Sequence, residues 1–338
     1  MLPFLLLPMF LLTSSCSGLY DFFADITETN PIGFIMGTPE PNPSELILDF
    51  EDRLFSGHLF RGALFANNIA VTYTDIPMGE YAMEYNVHAG ALFTVDNPKV
   101  LYGHNLFEPL YPASLTKIMT AIIALRYGDL EDMVTISEEA VDFNWYAQVG
   151  GLRAGDQVSL YDLMGGLLLH SGNDNAIAIA EHISGSEREF VFLMNQEAYR
   201  LGASHTNFTN SHGLHDENQY STLYDMYLIF AAAIRNQYFL DFIKMPYIMA
   251  DITDVYGNIR QEQWFPSNWY TANMIVEPDT VRVLGGKTGT TDEAGACVIL
   301  YNKCIHGDVF ISIIMGAPTR EDLYNNMTAL LSYGIGVQ

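Results

Sequence analysis

Basic residues are scarce in this sequence and cysteines scarcer: 15 lysines and arginines stand against 40 acids, and 338 residues hold three cysteines. A formal charge of −25 sets the chain against phosphate backbones, so nucleic acid is not an expected partner. The carboxylates are scattered, which reads as a solvated surface and not as an acidic tail. Three cysteines make no disulfide framework. Cys297 and Cys304 lie around one expected strand and its turn, which predicts free thiols on opposite faces. Repeats and low-complexity tracts are absent, and no apolar run reaches the roughly 20 residues a membrane helix needs. What is plentiful is core material: 49% hydrophobic residues and a mean hydropathy of +0.11 suit one large domain or two modest ones and exclude disorder.

The apolar run Leu2 to Leu12 resembles the hydrophobic part of a secretory signal. Thr13-Ser14-Ser15-Cys16 resembles a bacterial lipoprotein processing site with Cys16 as the lipidated residue. Thr13 departs from the usual Leu or Val, and no basic residue precedes Arg53. The expectation is an extracytoplasmic protein, secreted or held to the membrane's outer face by an N-terminal anchor alone. Residues 17–45, with Pro31, Pro39, Pro41 and Pro43, read as a tether. Residues 46–85 alternate weakly and are expected to add a strand or two. The main domain is expected over 86–338, closing on a helix with no C-terminal β-domain or anchor beyond it.

Within that domain "AGALFTVD", a turn at Asn97-Pro98 and "KVLYG" predict a hairpin. Helical patterns follow at 113–127, 159–170, 173–184, 186–201 and 221–236. Strands are expected again at 281–291, 295–302 and 308–318, and a last helix at 320–334. This order predicts an α+β fold in which a mainly antiparallel sheet joins the first hairpin to the last three strands.

Three stretches carry candidate chemistry. In "PASLTKIMTAIIAL", Ser114 and Lys117 are three positions apart at the start of an apolar helix, hence side by side. A serine hydroxyl needs a base to take its proton, and lysine is one only when burial or another cation lowers its pKa. In "GGKTGTT", glycines on a strand signal a close backbone approach, while Lys287, Thr288 and Thr290 offer an ammonium and hydroxyls. Ser171-Gly172-Asn173 breaks two apolar helices. Alone, each has a plainer reading: a serine cap, a bulge with a solvated lysine, an interhelical turn. Together they weigh more, because the chain has only five lysines and no other serine has a lysine three residues on.

Ser-x-x-Lys, Ser-Gly-Asn and Lys-Thr-Gly are also the motifs of active-site-serine penicillin-recognising enzymes. With "LLLHSGNDNAIAIAEHISGS" and "GGKTGTTDEAGACVIL", residues 86–335 resemble the low-molecular-mass penicillin-binding proteins of serine peptidase family S11, the D-alanyl-D-alanine carboxypeptidases. The resemblance implies a β-lactamase/DD-peptidase-like fold with an all-helical subdomain. It also implies a peptidoglycan stem peptide as substrate, β-lactams as inhibitors, and no cofactor or metal. Ser114 would be the nucleophile and Lys117 its base. Ser171 would relay the proton, and Asn173 would hold Lys117 and the substrate amide. Lys287 and Thr288, within the Lys-Thr-Gly motif that includes Gly289, would face the terminal carboxylate. The N–H groups of Ser114 and Thr290 would form the oxyanion hole, a contribution of about 3 kcal/mol per donor.

Relatives usually carry a carboxylate-binding arginine where this chain has Leu323, so Arg320 is the candidate substitute. Two rivals share the scaffold, a class A β-lactamase and an inactive wall-binding protein. The first needs a Glu-x-x-Leu-Asn run, absent here since Glu217 sits in "HDENQYS"; the second sits poorly with three intact motifs. His212 and His215 read as a polar loop, not a metal pair, and Trp145, Trp264 and Trp269 as packing or cleft-wall residues.

Overall fold

The computed structural model describes residues 69–83 and 86–336, within one compact unit that begins at Ile69. Cys16, the tether and most of the 46–85 extension lie outside the described residues.

Alternating apolar strands build the frame. β1 (Ala89–Thr94) and β2 (Val100–His104) form the expected hairpin, closed where Thr94 N donates to Lys99 O at 3.0 Å. β7 (Val281–Thr291), β8 (Gly295–Cys304) and β9 (Val309–Ala317) complete an antiparallel sheet of order β2-β1-β9-β8-β7. β1 meets β9 with Ala91 opposite Ile313 and Phe93 opposite Ile311, so chain ends far apart in sequence are neighbours. Strand periodicity sends alternate side chains to opposite faces. Phe93, Cys297 and Ile313 enter the larger core shared with the helices, and Leu92, Cys304 and Ile314 enter a smaller core. The final helix, α7 (Arg320–Gly336), covers that second core with Leu323, Met327 and Leu330. The two thiols are therefore free and on opposite faces.

The middle of the chain is largely helical. α1 (Lys117–Tyr127), α2 (Leu160–Gly165), α3 (Asn173–Ser184), α4 (Glu187–Arg200), α5 (Leu223–Ala233) and α6 (Gln237–Lys244) share the larger core, with α5 packed on β1 and β9 and α6 on β7. Local chemistry sets their starts: Ser159, Ser186 and Thr222 each accept the N–H three residues on, and Asn236 caps α6. α5 is apolar almost all round and is accordingly buried, its Tyr227 ring stacked on Phe93 at 3.9 Å.

The helical block also holds a second sheet that the periodicity did not reveal: β3 (Met133–Thr135), β4 (Gln157–Ser159), β5 (Ile248–Thr253) and β6 (Ile259–Trp264), in that order. β3 and β4 are too short to show alternation, and β6, "IRQEQW", is nearly all polar. Among residues 69–83 only single bridges form, Ile76 to Gly103 and Met78 to Tyr81, where strands were expected. Trp264 is buried and Trp269 stacks on Tyr324, but Trp145 is 95% exposed and packs no core.

Candidate active site

Ser114 stands on a 3-10 turn, Ala113–Thr116, just before α1, not on the α-helix itself. The turn is forced: Ala113 has φ +47°, a left-handed conformation costly for a residue with a Cβ. Two glycines hold it from either side. A Cβ on Gly213 would lie 2.0 Å from Ala113 O, and one on Gly289 would lie 2.8 Å from Ser114 N. Only bare backbone fits in both places, which accounts for the glycine in Lys-Thr-Gly. Ser114 keeps partial exposure while Leu115, Thr116 and Lys117 are fully buried.

The Lys117 ammonium nitrogen is 3.1 Å from Ser114 Oγ, 2.7 Å from Asn173 Oδ1 and 2.5 Å from His212 O. Its pKa lies well below the ordinary lysine value, first because burial strips away water, then because Lys287 is a second cation nearby; Asp174 pulls the other way. His212 supplies its carbonyl, not its ring. The ring is held neutral with a pKa of about 3 by burial and by Lys117. Its Nδ1 accepts from Leu214 N, whereas His215 packs edge-on against Tyr111, so the two imidazoles serve different neighbours.

Ser171 ends a π-helical turn, Gly166–His170, and has φ +66°, which turns its hydroxyl away from the helix path. Lys287 Nζ donates to Ser171 Oγ at 2.8 Å and to Thr288 O at 2.8 Å. Lys287 is 1% exposed, and burial, then the Arg320 charge, lowers its pKa to about 7. β7 is an edge strand of its sheet. Thr288 Oγ1 shares a hydrogen bond of 2.5 Å with Ser267 Oγ. Arg320 opens α7, is exposed, and forms no ion pair with a described residue, whereas Leu323 is 1% exposed in the smaller core. Three remote stretches thus bring together two hydrogen-bonded groups, Lys117 with Ser114 and Asn173, and Lys287 with Ser171, joined through the Ser171-Gly172-Asn173 backbone and near enough for the Lys287 charge to act on Lys117.

The sequence model of the S11 D-alanyl-D-alanine carboxypeptidases matches residues 78–319. This chain belongs to that family. As an S11 member it is 36% identical to the D-alanyl-D-alanine carboxypeptidase DacA of Haemophilus influenzae, over 75% of this chain and 60% of that one. It is 35% identical to DacC of Escherichia coli, over 75% and 62%. It therefore spans about 60% of the length of these curated relatives. The crystal structure of a DD-transpeptidase from Streptomyces superposes with a TM-score of 0.69 at 25% identity, covering 78% of this chain and all of the other.

For this S11 chain, sequence reasoning missed three contributors: the His212 carbonyl, Ser267 and Asp174. A main-chain acceptor leaves no side-chain signal. Ser267 sits in a loop that meets Leu169 O through its own N–H, a contact with no local pattern. The Asp174 carboxylate is legible only once its partners are in place.

Proposed function

We propose that this chain is a serine-type D-Ala-D-Ala carboxypeptidase acting outside the cytoplasm on peptidoglycan stem peptides, and that β-lactams acylate it. The observation that carries the reading is the pair of buried lysines, one on each hydroxyl: Lys117 on Ser114 and Lys287 on Ser171. Ser114 Oγ attacks the carbonyl carbon between the two D-alanines while its proton passes to neutral Lys117. The new C–O bond replaces the C–N bond, and the departing D-alanine amine takes a proton relayed through Ser171. Water then releases the shortened peptide from Ser114. Asn173 holds Lys117 and the substrate amide, and the N–H groups of Ser114 and Thr290 receive the oxyanion. Lys287, Thr288 and Arg320 receive the terminal carboxylate, beside the bare backbone of Gly289. In this reading the chain is secreted or held to the membrane's outer face by an N-terminal segment lipidated at Cys16; among the described residues no helix is long and apolar enough to cross a membrane.

The test is D-alanine release from a pentapeptide, paired with labelling by a fluorescent penicillin. Wild type is expected to do both and Ser114→Ala neither; label persisting on the variant refutes the assignment. A label retained for many minutes separates the peptidase from a β-lactamase, which would shed it in seconds.

A further inference from the structure

Asp174 follows Asn173 in the first turn of α3 and is 1% exposed, yet its carboxylate forms no ion pair among the described residues. It is satisfied by main chain instead. Oδ1 accepts from Gly150 N at 2.6 Å and from Asn175 N at 2.9 Å, and Oδ2 accepts from Leu152 N at 3.1 Å. Gly150 and Leu152 belong to a strap, residues 148–152, that also gives Gln148 O to Asn173 N at 2.8 Å. Three more of the strap's carbonyls have partners: Val149 O lies 3.2 Å from His170 Nε2, Gly150 O accepts from Trp264 Nε1 at 2.9 Å, and Gly151 O from Arg260 at 3.0 Å. Strap and helix approach closely, since a Cβ on Gly150 would lie 2.3 Å from Asn175 Oδ1. A buried carboxylate is a costly fastener unless its charge is used, although a helix N-terminus favours an anion. Here the charge acts on Lys117. The groups facing Lys117 are Lys287 from β7, Asp174 from α3 and the neutral His212 ring.

We infer that Asp174 is a positioning residue of the reaction, its carboxylate stapling the 148–152 strap to the first turn of α3 so that Asn173 stays against Lys117, and setting a negative charge on the Lys117 side of the site. This rests on the carboxypeptidase reading above. Asp174 opposes the loss of the Lys117 proton, so removing its charge makes that proton leave at lower pH. No such influence acts on Lys287, whose pKa answers to burial and Arg320. A merely structural residue would lower activity at every pH alike; this one moves a single limb of the profile.

The experiment measures kcat/KM for D-alanine release and the rate of penicillin acylation in Asp174→Asn between about pH 4 and 9. The plateau is expected to fall by about tenfold or more, as for a lost hydrogen bond to a charged group. The acid limb is expected at lower pH than in wild type and the alkaline limb in place. An unmoved acid limb overturns the inference alone, whereas a wild type silent in both assays overturns the carboxypeptidase reading and the inference with it. Should Asp174→Asn not fold, Gly150→Ala displaces the strap while leaving every charge where it is. It is expected to lower the plateau without moving the acid limb, and a wild-type plateau there also overturns the inference.

Discussion

Lys287 shows what the site costs at the scale of a residue. Folded, it gives up its proton near pH 7; unfolded, near 10.5. Between those values the unfolded chain holds more protons, so stability climbs with pH, and below 7 the folded state bears the full cost of a buried ammonium. Lys287→Met is therefore expected to raise Tm at pH 7, by about 2–4 °C for each kcal/mol recovered, while abolishing D-alanine release. A calorimetric scan showing a lower Tm contradicts this. In the proposed reaction the same group is expected to set the alkaline limb of kcat/KM near pH 7, since the terminal carboxylate would need its charge. Arg320→Ala belongs to this scale too. In the proposed reaction it removes a cation that receives the terminal carboxylate, so KM is expected to rise by about tenfold with kcat little changed, as for a lost hydrogen bond between charges, while the alkaline limb moves to higher pH because Lys287 is no longer pushed down. Unchanged kinetics clear Arg320 of the role.

At the scale of elements, the Ser114 turn, the loop at 211–213 and β7 are fitted backbone to backbone. Gly213→Ala would add a methyl at φ +90° within 2.0 Å of Ala113 O, where main chain and not a mobile side chain must give way. Both strain and clash act against the fold, so a loss of at least about 2 kcal/mol is expected, visible as a lower denaturation midpoint. The expected elements were legible in different degrees for physical reasons. α3 was placed at 173–184 with its observed bounds, because Gly172 opens it and Gly185, at φ +78°, ends it. The helix expected at 113–127 proved to be a strained turn joined to α1, since nothing local to Ala113 announces a left-handed residue. The helix expected at 221–236 stopped at Ala233, and α6 began at Gln237 as a separate element behind its Asn236 cap.

At the scale of the whole molecule, the main sheet stands between two cores, and its edge strand β7 lines the site opposite the helices. A charge of −25 makes such a body self-repelling. Salt shortens the range of that repulsion to roughly 10 Å at 0.1 M. Tm is therefore expected to rise on going from very low salt to about 0.2 M sodium chloride, and a scan in which it falls would assign net stability to surface ion pairs instead.

By itself the sequence determined the chemistry available: a hydroxyl and an amine one helical turn apart, a second lysine on a glycine-rich strand, and a hydroxyl–amide pair at a helix break. These are local facts, set by residue type and by the periods of helix and strand. Tertiary structure alone decided which groups meet: that the Lys117 partners include a carbonyl of His212, that Lys287 reaches Ser171, and that Asp174 fastens a distant strap. Such contacts join positions far apart in the chain, and only packing, which removes water from the lysines and closes backbone on backbone, can specify them.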